Sequence, residues 1–301
     1  MKKFPNFLII GAAKAGTSSL HYYLSQHPQI FMPTLKEPKF FALEGQELDF
    51  KNPDQAINHD SVTTLEEYQK LFQNATDEAA IGEASPLYLY SERAASLIKH
   101  YIPDVKLIVV LRNPVERAFS CYTHLLREGY ETLSFEESLQ METQRIRDNW
   151  AHLWHYKEAG FYSRQLKPFL KLFRKEQIKI ILFDDLCKDS VSVLQEIFDF
   201  LEVDPNFIPD LEKRNVSGMP KSLLLQKILF RGNFLRDTFL SVFPKSVYRD
   251  LAKRIKKWNM GKKPSLESAT RHHLSTVYHS DIVELQTLIQ KDLSMWLTQV
   301  R

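Results

Sequence analysis

Cysteine is scarce in this chain: 301 residues carry two, Cys121 and Cys187. Two thiols cannot build a disulfide framework, so a reducing compartment fits best. Long apolar runs are also missing. The opening six residues lead into a four-residue stretch, Phe7–Ile10, far too short for a signal-peptide core or a membrane span. The expectation is a cytoplasmic protein. The ten histidines are scattered, with no His-Glu-x-x-His or Cys-x-x-Cys spacing, so no metal site is expected. Excess charge is missing too. The 40 Lys and Arg stand against 37 Asp and Glu, a net +3, which gives no reason to expect nucleic acid. The chain shows no internal repeat and no low-complexity segment. Its 44% hydrophobic and 26% charged residues exclude a disordered tail, a collagen and a disulfide miniprotein.

What is present is an alternation of strand and helix signals. Four apolar runs read as buried strands: Phe7–Ile10, Ala80–Gly82, Lys106–Leu111 and Ile178–Phe183. The last two are rich in Ile and Val and do not alternate, as expected of parallel strands covered on both faces. Helical signals lie between them. Thr17–Ser25 follows the first strand, and Thr64 with Glu67 forms a capping box opening a helix to about Gln73. Asn113 places an N-cap before Pro114, and Ser134 with Glu137 forms another capping box. Val193, Leu194, Ile197, Phe198 and Leu201 keep helical spacing. This pattern predicts an α/β fold, a parallel sheet flanked by helices on both faces, with a helical C-terminal part. Gly45–Val62 and Asp204–Pro220 read as long loops. Between Lys221 and Lys263 there are 12 Lys or Arg and two Asp. No second core is visible, so the expectation is one domain over 1–301 with 221–263 a basic helical segment within it.

The sharpest local feature is Phe7-Leu8-Ile9-Ile10-Gly11-Ala12-Ala13-Lys14-Ala15-Gly16-Thr17-Ser18-Ser19. A strand runs into a small-residue loop, and the loop opens a helix. Unpaired amides and the helix dipole make such a start a site for an anion. The two glycines allow a tight turn and close backbone approach. Lys14 adds a full charge, while Thr17, Ser18 and Ser19 add hydroxyls. The Gly-x4-Gly spacing is like that of a nucleotide P-loop, but there the lysine directly follows the second glycine; here Thr17 does.

A second anion site is expected where the third strand ends, at Arg112-Asn113-Pro114. Ligands bind at the carboxyl edge of open α/β sheets. Ser120, eight residues on, falls near the same face, so fork and hydroxyl together suit a phosphate. Arg117 points elsewhere and is expected to pair with Glu116 or acids near Glu83.

These segments together resemble the sulfotransferases that use 3′-phosphoadenosine 5′-phosphosulfate (PAPS), in particular the bacterial and heparan-sulfate types. Lys14-Ala15-Gly16-Thr17 is similar to their 5′-phosphosulfate loop, and Arg112 through Ser120 to their 3′-phosphate motif. Lys36-Glu37-Pro38-Lys39-Phe40-Phe41 is similar to their Lys-Glu-Pro-x-Phe-Phe segment. Gly82-Glu83-Ala84-Ser85-Pro86-Leu87-Tyr88 resembles their Glu-Lys-Thr/Ser-Pro-x-Tyr segment. The likeness continues through Gly160-Phe161-Tyr162, Ile178–Leu186 and, more weakly, Gly261-Lys262-Lys263-Pro264, which is like a basic loop closing over the cofactor. Two departures stand out: Ala84 replaces a frequent lysine, and the C-terminal loop differs by a residue.

The resemblance implies metal-free, P-loop-like sulfuryl transfer from PAPS to a hydroxyl, less readily an amine, of a saccharide or hydroxylated metabolite. Such in-line transfer depends on positioning and charge stabilisation. It implies Glu83 as general base, Lys14 at the leaving phosphate oxygen and Lys36 at the sulfuryl group. It also implies cofactor contacts from Lys14, Ala15, Gly16, Thr17, Ser18, Ser19, Arg112, Ser120, Tyr162, Lys262 and Lys263. Phe161 and Tyr162 suit either stacking on a ligand or packing of their helix. Two other readings stay open. A P-loop kinase or nucleotidase using Mg-ATP would use Asp184-Asp185 after the last strand as metal ligands. A membrane-surface binding protein would use Leu223–Trp258, whose apolar and basic residues interleave.

Overall fold

A computed structural model describes residues 4–211, 219–220, 260–261 and 264–298. The expectations for Lys262, Lys263 and nearly all of the basic segment 221–263 therefore lie outside the described residues.

The chain enters through β1 (Phe7–Gly11), whose five residues are all buried. A loop leads to α1 (Thr17–Leu24), and β2 (Ile30–Phe31) follows. Next come three short helices: α2 (Phe40–Leu43), α3 (Ala56–Asp60) and α4 (Leu65–Lys70). After β3 (Ala80–Ala84) lie α5 (Leu87–Tyr90) and α6 (Ala94–Tyr101). β4 (Lys106–Leu111) feeds α7 (Pro114–Arg127) and α8 (Phe135–Arg147). α9 (Tyr162–Leu172) precedes β5 (Ile178–Leu182), which passes into α10 (Phe183–Lys188) and α11 (Ser190–Leu201). A long C-terminal helix, Ser268–Ile289, packs on α9 and α7.

The strands form one parallel sheet in the order β2-β3-β1-β4-β5. β1 sits at the centre; the chain first fills one side, with β2 at the edge and β3 between it and β1, and then the other, with β4 and β5 in turn. That arrangement creates a crevice at the carboxyl ends of the strands, where open α/β sheets take ligands. One buried cluster runs from Phe7 to Trp296. The α/β sheet flanked by helices matches the expectation, with two differences. β2 is two residues long, below what periodicity can detect. β5 is an edge strand, half-buried at four of five positions, and is not covered on both faces.

Local signals fix the helix starts. Asn113 Oδ1 accepts the amides of Val115 and Glu116 at 3.0 and 3.3 Å, and Pro114 follows it at the first helical position. Ser134 and Glu137 close a reciprocal capping box. Thr64 caps α4, which ends at Lys70, three residues before the expected Gln73.

The sheet is packed tightly at its centre. Gly82 on β3 pairs with Phe7 on β1, and a Cβ on Gly82 would come within 2.3 Å of the Phe7 ring. Neither the strand nor a buried ring can give way cheaply. Gly82→Ala is therefore expected to lower stability by about 2 kcal/mol, read as a fall in the urea midpoint at unchanged slope. An unchanged midpoint would contradict this packing.

Candidate active site

The loop after β1 begins with a register break. Ile9 pairs with Ile108 but Gly11 with Val109, and the Ala12 amide donates to Val110 O at 2.7 Å. The irregularity turns the chain out of the sheet. Gly16, at φ +93°, is the N-cap residue of α1, a left-handed conformation that disfavours a side chain. Among the described residues, the amides of Ala13, Lys14, Gly16, Thr17 and Ser18 have no partner. They are the unpaired donors of a helix start, at the carboxyl edge of the central strand. Two residues of the expected set are committed elsewhere. The Ala15 amide donates to Ala12 O at 3.2 Å, and Ser19 spends its amide on Gly16 O and its hydroxyl on Tyr23. Lys14 is half-buried, and its burial is the main reason its pKa falls below the usual lysine value.

Arg112 stands at the end of β4, half-buried. Its guanidinium lies 4.7 Å from the centre of the Phe183 ring and donates to Lys14 O at 3.2 Å. It is thus tied to the loop that carries the unpaired amides. Ser120 lies half-buried on α7. Arg117 departs from expectation. It is sealed in the core, with no bond to Glu116 or to acids near Glu83, and donates to the carbonyl of Tyr156. Glu116 pairs instead with Arg271 at 2.6 Å. Tyr162 has no exposed surface, so its ring is core packing and cannot stack on a ligand.

Glu83 also departs from the role expected of it. It is wholly buried. Oε1 accepts the hydroxyls of Tyr88 and Tyr68 at 2.6 and 3.2 Å, and Oε2 accepts that of Ser85 at 2.9 Å. Burial raises its pKa to about 7, although the three hydroxyl bonds pull the other way. A carboxylate so enclosed cannot touch an acceptor. Its bonds instead join α4, α5 and the β3 end, and Ser85 Oγ in turn accepts the Lys39 amide at 3.0 Å.

The acid that faces the exterior is Glu37, whose side chain keeps 33% of its surface. The Glu37 amide donates to Ala84 O at 3.1 Å, which anchors the segment to β3. Glu37 Oε1 accepts from Lys36 Nζ at 2.8 Å, and the same ammonium donates to Ser18 Oγ at 2.7 Å. Among the described residues, Oε2 has no partner. Burial alone would raise the Glu37 pKa, but Lys36 and Lys39 outweigh it and hold it below the usual carboxylate value. The expected site residues include Lys36 of this segment but not Glu37. The available signal was an acid flanked by two lysines.

Glu37 opens on a cleft of about 620 Å³. One wall is Leu35–Val62, the other Ala151–Trp154. The walls are stitched together. Asn52, almost fully buried, accepts the Ala151 amide at 2.9 Å; Lys51 N reaches Asn149 O at 3.1 Å, and Asn149 Nδ2 reaches Asp49 O at 2.9 Å. Asp184 and Asp185 are exposed in the first turn of α10, with Asp184 accepting from Trp296 Nε1 at 3.4 Å. Among the described residues, no three His, Cys, Asp or Glu side chains group closely enough to hold a metal ion, and no helix is long and apolar enough to cross a membrane.

Comparison with known proteins agrees with this geometry. Residues 5–207 match the model of the sulfotransferase family. A sulfotransferase of Alicyclobacillus acidocaldarius, known from a crystal structure, superposes with a TM-score of 0.79 at 35% identity, covering 98% of this chain and 99% of that one. The membrane-associated sulfotransferase kil1 of Dictyostelium discoideum is 26% identical over 296 residues, covering 70% of this chain and 59% of its own. Heparan sulfate glucosamine 3-O-sulfotransferase 3A1 of Mus musculus is 29% identical over 237 residues, covering 74% of this chain and 55% of its own. The matched regions thus take in little more than half the length of these two relatives.

The buried Glu83 has a signature in stability. Its pKa is raised from 4.5 to about 7 on folding, so the folded chain binds its proton more tightly. Stability must then fall as pH rises through that window. Glu83→Gln removes this slope. The Tm of the variant relative to the parent is expected to rise between about pH 4.5 and about pH 7 and to level off above. Parallel profiles would contradict the burial of a titrating carboxyl.

Proposed function

The chain belongs to the sulfotransferase family, and we propose that it moves a sulfuryl group from PAPS to a hydroxyl of a saccharide or related polyhydroxylated acceptor. The observation that carries this reading is the Lys36 ammonium. It joins Ser18 of the anion-binding loop to Glu37, an ionised carboxylate facing a cleft. A donor site and a base are thereby held side by side.

The residues fit such a donor. The unpaired amides of Ala13, Lys14, Gly16, Thr17 and Ser18, with the Lys14 ammonium, suit the 5′-phosphosulfate. Arg112, stiffened against Phe183 and aided by Ser120, suits a 3′-phosphate. Bound there, PAPS supplies an activated sulfuryl group on a phosphate leaving group. The protein contributes placement and charge. Lys14 and the loop amides stabilise the negative charge growing on the leaving oxygen as its bond to sulfur breaks. Lys36, bonded to both Ser18 and Glu37, would meet the sulfuryl oxygens between donor and acceptor. The acceptor hydroxyl forms the new bond to sulfur, and its proton goes to Glu37 Oε2. Because Lys36 and Lys39 hold Glu37 ionised, the base is ready at neutral pH. Glu83 serves the site indirectly, fixing the segment that carries Glu37 through Ser85 and Lys39.

Paired variants test this division of labour. Glu37→Gln is expected to lower kcat by roughly 10²- to 10⁴-fold while binding of 3′-phosphoadenosine 5′-phosphate (PAP) is kept. Glu83→Gln is expected to stay within about tenfold of the parent, as fits a group remote from the reacting atoms. The reverse pattern, with Glu37→Gln active and Glu83→Gln dead, would return the base to Glu83.

A further inference from the structure

Glu37 stands in an unusual turn. Glu37 and Lys39, on either side of Pro38, both hold left-handed backbone at φ +61°. A side chain disfavours that conformation, and the residue before a proline ordinarily takes extended backbone. Neither residue is glycine, so the turn persists only because its surroundings over-determine it. Three bonds come from other segments. The Glu37 amide donates to Ala84 O at 3.1 Å, the Lys39 amide to Ser85 Oγ at 3.0 Å, and the Val62 amide to Pro38 O at 2.9 Å. The fourth arises within the turn: Lys39 Nζ folds back and donates to Glu37 O at 2.8 Å.

That ammonium is placed differently from its neighbour. Lys36 Nζ bonds the Glu37 carboxylate and Ser18. Lys39 Nζ forms no ion pair among the described residues, and it lines the same cleft as Glu37. It is half-buried, and burial is the main reason its pKa lies below the usual lysine value, with Glu37 and Asp60 acting the other way. A half-buried cation with no carboxylate bonded to it carries a desolvation cost. An apolar side chain of similar length would avoid that cost, so the charge suits a task in the site more than it suits stability.

Resting on the reading of Glu37 as the base, we propose that Lys39 is a positioning residue for sulfuryl transfer: its ammonium closes the left-handed turn and thereby presents the Glu37 carboxylate to the cleft. It acts on the acceptor's proton through Glu37 alone. Its charge adds a second effect on the same acid. Burial pushes the Glu37 pKa up, and Lys36 and Lys39 together bring it below the usual value. The other groups acting on Glu37 are Lys14 in the loop after β1, His21 on α1, Glu83 on β3, His124 on α7 and His152 on the opposite wall. Burial lowers the pKa of His21 and His124 to about 4 and that of His152 to about 3. At neutral pH the cations acting on Glu37 are therefore lysines, and Lys39 is the one that also shapes its backbone.

The test reads Glu37 directly and needs no acceptor. The full chain carries glutamate labelled with ¹³C at the carboxyl carbon, and the Glu37 signal is identified by its loss in Glu37→Gln. Its titration midpoint is followed in the parent, in Lys39→Met and in Lys39→Arg, together with hydrogen exchange at the amides of residues 37 and 39. Lys39→Met removes a positive charge from beside the carboxylate, so its midpoint is expected to rise by about one pH unit. Exchange at both amides is expected to quicken by about tenfold as the turn loosens. Lys39→Arg keeps the charge and a donor and is expected to restore both readings. Where Lys39→Met does not fold, Lys39→Gln, which keeps a donor without the charge, is expected to show the same rise in midpoint. A midpoint that stays in place without the charge, or a rise that Lys39→Arg does not reverse, overturns the inference and leaves the base assignment standing. Glu37→Gln that keeps its kcat removes the base, and with it the reading on which the inference rests.

Discussion

The arrangement depends on one ammonium group. Lys36 Nζ joins two separate segments, the first turn of α1 and the turn before α2, by donating to Ser18 and to Glu37. The bridge puts a positive charge beside the unpaired amides of the helix start and beside an ionised acid. Without that charge, Glu37 would be a partly buried carboxylate pushed towards its neutral form. With it, the acid stays a base. The ion pair is half exposed, so its worth lies in placement and protonation state more than in stability.

The rest of the fold holds those two segments still. The phosphate loop is set by the register break at Gly11 and by the left-handed Gly16. The Glu37 segment is set by β3, through Ala84 O and through the chain from Glu83 to Ser85 to the Lys39 amide. Burying Glu83 costs desolvation, which three hydroxyl donors offset in part. Side-chain bonds of this kind fix a backbone more sharply than apolar packing alone. The cleft walls are tied to each other in the same manner, through Asn52 and Asn149.

Much of the fold was legible in the sequence because its signals are local. Asn113-Pro114 and Ser134 with Glu137 mark helix starts by chemistry that acts within four residues. Lys106–Leu111 reads as a buried strand because burial on both faces removes alternation. The anion loop was legible for the same reason, as a strand, a glycine turn and a helix start in succession. What escaped depends on contacts across the chain. Glu37 and Glu83 are both glutamates beside a proline-containing segment, and nothing local says which is sealed. The answer lies in Tyr68 and Tyr88, whose hydroxyls converge on Glu83 only once α4 and α5 are packed. Tyr162 is ambiguous in the same way, since stacking and core packing demand the same residue type, and its burial places it in the core. Arg117 looked like a surface partner for Glu116 until the turn around Tyr156 closed over it.

On the proposed function, the segment from Ala13 to Ser18 and Arg112 hold a nucleotide carrying both a 3′- and a 5′-phosphate, with no metal taking part. A calorimetric titration tests it most directly: PAP in the presence of a chelator, against ATP with magnesium. The expected result is tight metal-free binding of PAP and weak binding of magnesium-ATP. Preference for magnesium-ATP would contradict this, and would shift attention to Asp184 and Asp185 in the first turn of α10.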